Sequence, residues 1–240
     1  GWPILWYRRS ANIAHPWVAQ EVFGGFDYCE TLEIADMDGD GDNDIVAAEM
    51  RRDFQSGDLM IFGNNDHGQK WDSELLAHEQ GFYRGIVADI DGDDDLDIAS
   101  SQDYNKAPVS WWENLSHNEN CWEYHSIDDD RDQSQYGMMG SFSADLNGDG
   151  WQDIGAGSRI YINPKGKLGD PWQGILVAED TDLLLAVDID GDSKSDLLGI
   201  RDSTLVWFEA RVATLEKWVM HPVAELTAAR TQDYLAGKIL

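Results

Sequence analysis

Positive charge is scarce in this chain. Seventeen lysines and arginines stand against 46 aspartates and glutamates, a formal net charge of −29 over 240 residues. An excess of that size repels polyanions, which argues against nucleic acid as a partner and against bulk attraction to anionic membranes. Long apolar runs are missing too: none approaches the roughly eighteen residues that a spanning helix needs, so no membrane insertion is expected. Catalytic signatures are equally thin, with no Ser/His/Asp order, no glycine-rich phosphate loop and no His-x-x-x-His pair. No catalytic residue is assigned, and the sequence leans away from an enzyme.

What the chain does have is one nine-residue segment written four times. The copies are Asp36-Met-Asp38-Gly-Asp40-Gly-Asp42-Asn-Asp44, Asp89-Ile-Asp91-Gly-Asp93-Asp-Asp95-Leu-Asp97, Asp145-Leu-Asn147-Gly-Asp149-Gly-Trp151-Gln-Asp153 and Asp188-Ile-Asp190-Gly-Asp192-Ser-Lys194-Ser-Asp196. Eighteen of the 46 acidic residues lie inside them. Oxygen-bearing side chains at positions 1, 3, 5 and 9, with a backbone carbonyl free at position 7, are what a hard cation takes from one turn of chain. Calcium suits them, because it accepts 6–8 oxygens in irregular geometry. Without a counter-ion so many carboxylates would repel one another. A helical calcium hand closes with Glu at position 12, but that offset holds Ala47, Ser100, Ala156 and Gly199.

The segments sit between alternating runs instead, such as Thr31 to Asp36 before the first and Ile45-Val-Ala after it. Such runs read as strands, which makes each segment a hairpin turn. A second repeat lies between the turns. Trp6, Met60, Trp111, Tyr161 and Trp207 sit in strand-like runs, and each is followed eleven residues later by Trp17, Trp71, Trp122, Trp172 or Trp218. Periods near 50 residues with four strands each predict an all-β β-propeller of five four-stranded blades in one domain, 1–240. The fifth blade is expected to be incomplete and closed by both termini, with Ile4-Leu-Trp-Tyr and Val18 to Val22 joining an inner strand from Tyr234 to Ile239. The five second tryptophans are expected to fill equivalent inter-blade positions, leaving Trp2 and Trp151 as exposed contacts. Cys29, expected just before an inner strand, and Cys121, before an outer one, fall at opposite blade ends and are not expected to pair.

The Asp-rich hairpins followed by Ile or Leu, together with Trp-Trp-Glu-Asn at 111–114, resemble the FG-GAP or VCBS repeats of integrin α-subunit propellers and of many secreted bacterial proteins. The resemblance spans nearly the whole chain. It implies about four Ca²⁺ sites: Asp36, Asp38, Asp40 and Asp44 with the carbonyl of Asp42; Asp89, Asp91, Asp93 and Asp97 with that of Asp95; Asp145, Asn147, Asp149 and Asp153 with that of Trp151; and Asp188, Asp190, Asp192 and Asp196 with that of Lys194. Asn147 replaces an acid, and Asp94 and Ser193 occupy position 6, where a left-handed turn favours glycine. These departures predict weaker sites two, three and four, all filling at the millimolar calcium of extracellular modules. The chain, starting at Gly1 without a signal-like segment, is read as a processed mature protein or a piece of a longer one, secreted and monomeric.

A ligand is expected on the face opposite the Asp-rich turns, where longer loops carry Arg51, Arg52, Tyr83, Arg84, Tyr104 and Lys106. Such mixtures suit a glycan or an extracellular protein, giving a binding or adhesion module. The alternative is a polysaccharide lyase acting by β-elimination on uronic-acid sugars, with Tyr83, Arg84, Tyr104, Lys106 and Arg52 supplying the proton transfer and carboxylate neutralisation. His78, His125 and His221 fall near the ends of outer strands, where repetition accounts for them better than chemistry.

Overall fold

Strands form where the alternating runs stand. The computed structural model describes residues 3–12, 14–50, 56–65, 67–80, 82, 84–101, 108–115, 122–129, 140–167, 169–210, 215 and 217–226, and among these there is no helix. None is therefore long and apolar enough to cross a membrane. The chain opens with a two-stranded ladder, β1 (Ile4–Arg8) against β2 (Val18–Phe23). Four four-stranded antiparallel meanders follow. Blade one is β3 (Tyr28–Ala35), β4 (Asp44–Met50), β5 (Ser56–Asn64) and β6 (Trp71–Ala77), and blade two is β7 (Arg84–Ala88), β8 (Asp97–Ser101), β9 (Val109–Asn114) and β10 (Trp122–Asp128). Blade three is β11 (Ser141–Ala144), β12 (Asp153–Ala156), β13 (Arg159–Ile162) and β14 (Gln173–Leu176), and blade four is β15 (Thr181–Val187), β16 (Asp196–Arg201), β17 (Thr204–Ala210) and β18 (Trp218–Glu225). The first strands lie beside one another in turn, β3 by β7, β7 by β11 and β11 by β15. This is the blade order of a propeller.

Alternation along the middle strands explains the core. On β4, Ile45 and Ala47 join Ile4, Phe26 and Phe62 toward the β1–β2 ladder, while Val46 and Ala48 join Phe82, Ile98 and Trp112 toward blade two. Blades two and three meet through Trp111, Ile154 and Tyr161, and blades three and four through Phe142, Ile160, Leu183 and Phe208. Middle strands are thus buried on both faces, and every residue of β9 is buried. Each fully buried Leu, Ile or Phe contributes roughly 1.5–3 kcal/mol. Outer strands β6 and β10 share one pattern, exposed at three of seven positions and half-buried at the rest, with none fully buried.

The tryptophan register holds with one correction. Trp71, Trp122, Trp172 and Trp218 each pack into the core shared with the preceding blade. Trp17 is 56% exposed instead. Its counterparts lean on the blade before them, and no described sheet precedes the β1–β2 ladder. The same reason accounts for Leu32 and Ile34 on β3, which share the face of β4 that meets the ladder yet stay 46% and 61% exposed beyond its two strands. The expected inner strand from Tyr234 to Ile239 lies outside the described residues. Cys29 lies within β3 rather than before it, as a free thiol that burial pushes up to about 11. Cys121 and Trp2 lie outside the described residues.

Candidate functional site

Each Asp-rich segment joins the first strand of a blade to its second, and all four fold alike. Position 1 accepts from the N–H of position 6, in Gly41 to Asp36 at 3.0 Å, Asp94 to Asp89 at 3.3 Å, Gly150 to Asp145 at 2.9 Å and Ser193 to Asp188 at 3.0 Å. Position 3 accepts from the N–H of position 5, and position 5 from that of position 7, in every copy. These bonds curl the side-chain oxygens toward one centre. Positions 4 and 6 have positive φ throughout, including Asp94 at 74° and Ser193 at 67°, so the second and fourth turns carry a side chain where glycine is easiest.

Position 9 is the anchor. Asp44, Asp97, Asp153 and Asp196 are each at most 2% exposed. One oxygen of Asp97 accepts from Ile90 N–H at 2.8 Å and the other from Asn114 N–H at 2.9 Å, tying the loop to the end of the third strand. Asp44, Asp153 and Asp196 repeat this with Met37 and Asn64, Leu146 and Asn163, and Ile189 and Ala210. Burial pushes Asp97 up to about 7 and Asp153 up to about 6, and raises Asp44. Asp91 rises to about 6 through burial and the charges of Asp93 and Glu113.

The donor set fits a hard cation. Asp36, Asp38 and Asp40 each bring an oxygen within 4.8 Å of the others, as do Asp89, Asp91 and Asp97, and Asp188, Asp190 and Asp196. Oδ1 of Asp36 is buried with no hydrogen-bond partner among the described residues. Its counterparts on Asp89, Asp145 and Asp188 accept from the position-4 glycine at 2.7–2.8 Å. The third loop, with the neutral Asn147, gathers no such carboxylate triplet. Two loops have an ammonium on them: Lys165, from the β13–β14 connection, reaches Asp149 at 3.3 Å, and Lys194, at position 7 of its own loop, folds back onto Asp192. Lys194 thereby holds Asp192 below the usual carboxylate range.

Two features escaped the sequence reading. Asn114 Nδ2 donates to Leu96 O in its own loop at 3.2 Å and to Met37 O in the loop of blade one at 3.1 Å, and Asn163 bridges Gln152 O and Ile90 O likewise, at 3.0 and 2.7 Å. The available signal was an asparagine closing the third-strand runs at 64, 114 and 163. Trp151 is half-buried rather than an exposed contact: a Cβ on Gly92 of the neighbouring loop would lie 2.6 Å from its ring, and one on Gly166 would lie 2.5 Å away.

Of the expected ligand residues, Arg84 opens β7, half-buried, and its charge reaches Glu33 on β3. Arg51, Arg52, Tyr83, Tyr104 and Lys106 lie outside the described residues. His125 and His221 stand mid-strand rather than near strand ends, each stacked on a third-strand tryptophan (Trp111 and Trp207, ring centroids 4.6 Å apart) and paired with Glu113 or Glu209. His78 follows β6 and pairs with Asp58 at 2.7 Å. Between blades one and two, beside the first loop, a cleft of about 300 Å³ is lined by Asp38, Asn65, Asp72, Ser73, Glu74 and Trp122 among others.

Residues 36–100 match the FG-GAP-like repeat family. No curated protein matches the chain. Among solved structures, one of an Agrocybe aegerita lectin, described as specifically recognising non-reducing terminal N-acetylglucosamine, is similar at a TM-score of 0.57 and 18% identity, over 92% of this chain and 60% of that one. The Photorhabdus luminescens Tc holotoxin pore matches at a TM-score of 0.35 and 14% identity, over 90% of this chain and 13% of that one. The lectin likeness concerns the fold, and this chain spans about 60% of the lectin's length. The chain carries an FG-GAP-like repeat on an all-β fold of the β-propeller kind.

Proposed function

We propose that the chain is a secreted, calcium-rigidified binding module whose ligand is a glycan. The observation that carries this reading is the cleft between blades one and two, where the half-buried Trp122 stands among Asp38, Asp72, Glu74, Asn65 and Ser73. An indole face suits the apolar face of a pyranose, and carboxylate, amide and hydroxyl groups suit its hydroxyls. Among the described residues no basic side chain lines the cleft, and Lys70 outside it is engaged with Asp72 at 2.7 Å. With Lys70 on Asp72 and Asp38 in the calcium loop, Glu74 is the carboxylate left to repel a uronic acid, so a neutral sugar is the class favoured. The elimination alternative depends on Arg84 together with Arg52, Tyr83, Tyr104 and Lys106, and the last four lie outside the described residues.

Calcium enters as the ion for which the four loops have the right donors, and millimolar extracellular calcium matches loops of this kind. It supplies positive charge that holds each hairpin closed; Asp38 belongs both to the first loop and to the cleft lining, so the ion would also set the cleft wall. The experiment is retention on a panel of neutral and acidic glycans in millimolar calcium, repeated in chelator and with Glu74→Gln. Retention of a neutral sugar that falls in chelator and in the variant is expected. Absence of retention across the panel would remove the glycan, and retention indifferent to calcium would remove the ion's part in binding.

A further inference from the structure

Blade two contains a second kind of metal-ligating cluster, outside the second Asp-rich turn but near enough for the charge of Glu113 to reach Asp91 in it. Glu113 on β9 and Glu123 on β10 are directly opposed cross-strand partners, and His125 is two residues further along β10. One ligand atom from each lies within 4.8 Å of the other two. Two carboxylates facing each other across an antiparallel pair repel, so the pairing is unfavourable as it stands. The Glu113 side chain is only 7% exposed, and apart from His125 Nε2 at 2.6 Å it has no hydrogen-bond or ionic partner among the described residues. Among the described residues, its second oxygen has no hydrogen-bond partner, and neither has the exposed Glu123 beside it.

Blade four supplies an internal control. Trp207, Glu209 and His221 reproduce the arrangement of Trp111, Glu113 and His125, with the His–Glu contact at 2.7 Å and the same ring stacking. There, however, Val219 stands opposite Glu209. The Trp–His–Glu unit thus serves both blades as packing, and blade two alone adds a second carboxylate. That addition is what converts a hydrogen-bonded pair into three converging ligands.

We infer that Glu113, Glu123 and His125 form a site for a Zn²⁺-class ion, distinct from the calcium loops. An imidazole nitrogen with two carboxylates suits zinc better than calcium, and three protein ligands leave a fourth position for water. The ion takes the position between His125 Nε2 and Glu113 Oε2, and the neutral imidazole then carries its proton on Nδ1. Zinc–ligand bonds of about 2.0–2.2 Å in tetrahedral geometry set ligand atoms about 3.4 Å apart, so the 2.6 Å pair opens by less than an ångström. The stacking of His125 on Trp111 holds the ring in place for this.

The test titrates the full chain, held in millimolar calcium, with Zn²⁺ and with Co²⁺ as a coloured substitute. One equivalent is expected, with visible Co²⁺ bands of low coordination number and no calcium released. Glu123→Gln, at an exposed position, removes that equivalent while the melting temperature in calcium does not fall, since the opposed carboxylates no longer repel. Val219→Glu in blade four adds a second. No uptake, uptake that persists in Glu123→Gln, or uptake only in exchange for released calcium would each overturn the site.

Discussion

Asp97 accepts one N–H from its own loop and one from the end of the third strand while fully buried, and its three counterparts are held in the same way. Burying a carboxylate disfavours its charged form, which is why it is raised from 3.8 to about 7. With Asp153, Asp91 and Asp44 also raised, the metal-free folded protein holds protons that the unfolded chain has already released at the same pH. Stability falls wherever the folded state binds the more protons, so it is lost as pH rises from 3.8 through about 7. Metal-free protein should therefore melt lower at about pH 8 than at about pH 5, and millimolar calcium should shrink the difference by holding the carboxylates ionised. Thermal melts at both values check this, and a melting temperature that climbs with pH in the absence of metal would contradict it. The aspartates of this argument were legible from spacing alone. The asparagines at 114 and 163 were not, because an amide that reaches the loop of another blade depends on which sheet stands alongside.

At the scale of the hairpin, the four loops share a backbone and differ in charge. Loop one has five acids, a buried unpartnered oxygen on Asp36 and no lysine at position 7, whereas loop four carries Lys194 there, folded onto Asp192. An ammonium already seated on a ligand carboxylate competes with an incoming cation. Lys194→Ala should tighten calcium at the fourth loop and leave the first unchanged, which calcium titration followed by NMR of the loop glycines resolves site by site. Equal affinities before and after would remove the competition. Sequence ranked the loops by Asn147, Asp94 and Ser193; the structure adds the folded-back Lys194, visible only once the side chain's direction is known. Strand order was readable because period-2 runs and the eleven-residue tryptophan spacing are local signals. The exposure of Trp17 was not, since it turns on what stands beside the first ladder in space and not on local spacing.

Across the whole molecule, each blade packs on the next through shared apolar clusters, and the loops line one end of that series. An ion bound only to the folded form stabilises it by mass action, about 2.7 kcal/mol per site at a hundredfold excess over its dissociation constant. Chelation should therefore lower the melting temperature sharply, and calcium titrated back should restore it. An unchanged melt in chelator would sink the calcium assignment. A stack in which each unit touches only its neighbours also transmits local loosening one blade at a time.

Trp151 lies at the boundary between two such units, in the third loop with its ring against Gly92 of the second. Any ion that draws either loop tighter changes how much water reaches that indole. The protein thus contains its own fluorophore for metal occupancy: the difference in emission between the native chain and Trp151→Phe, followed along a calcium titration, reports the second and third loops together against a background of ten other tryptophans.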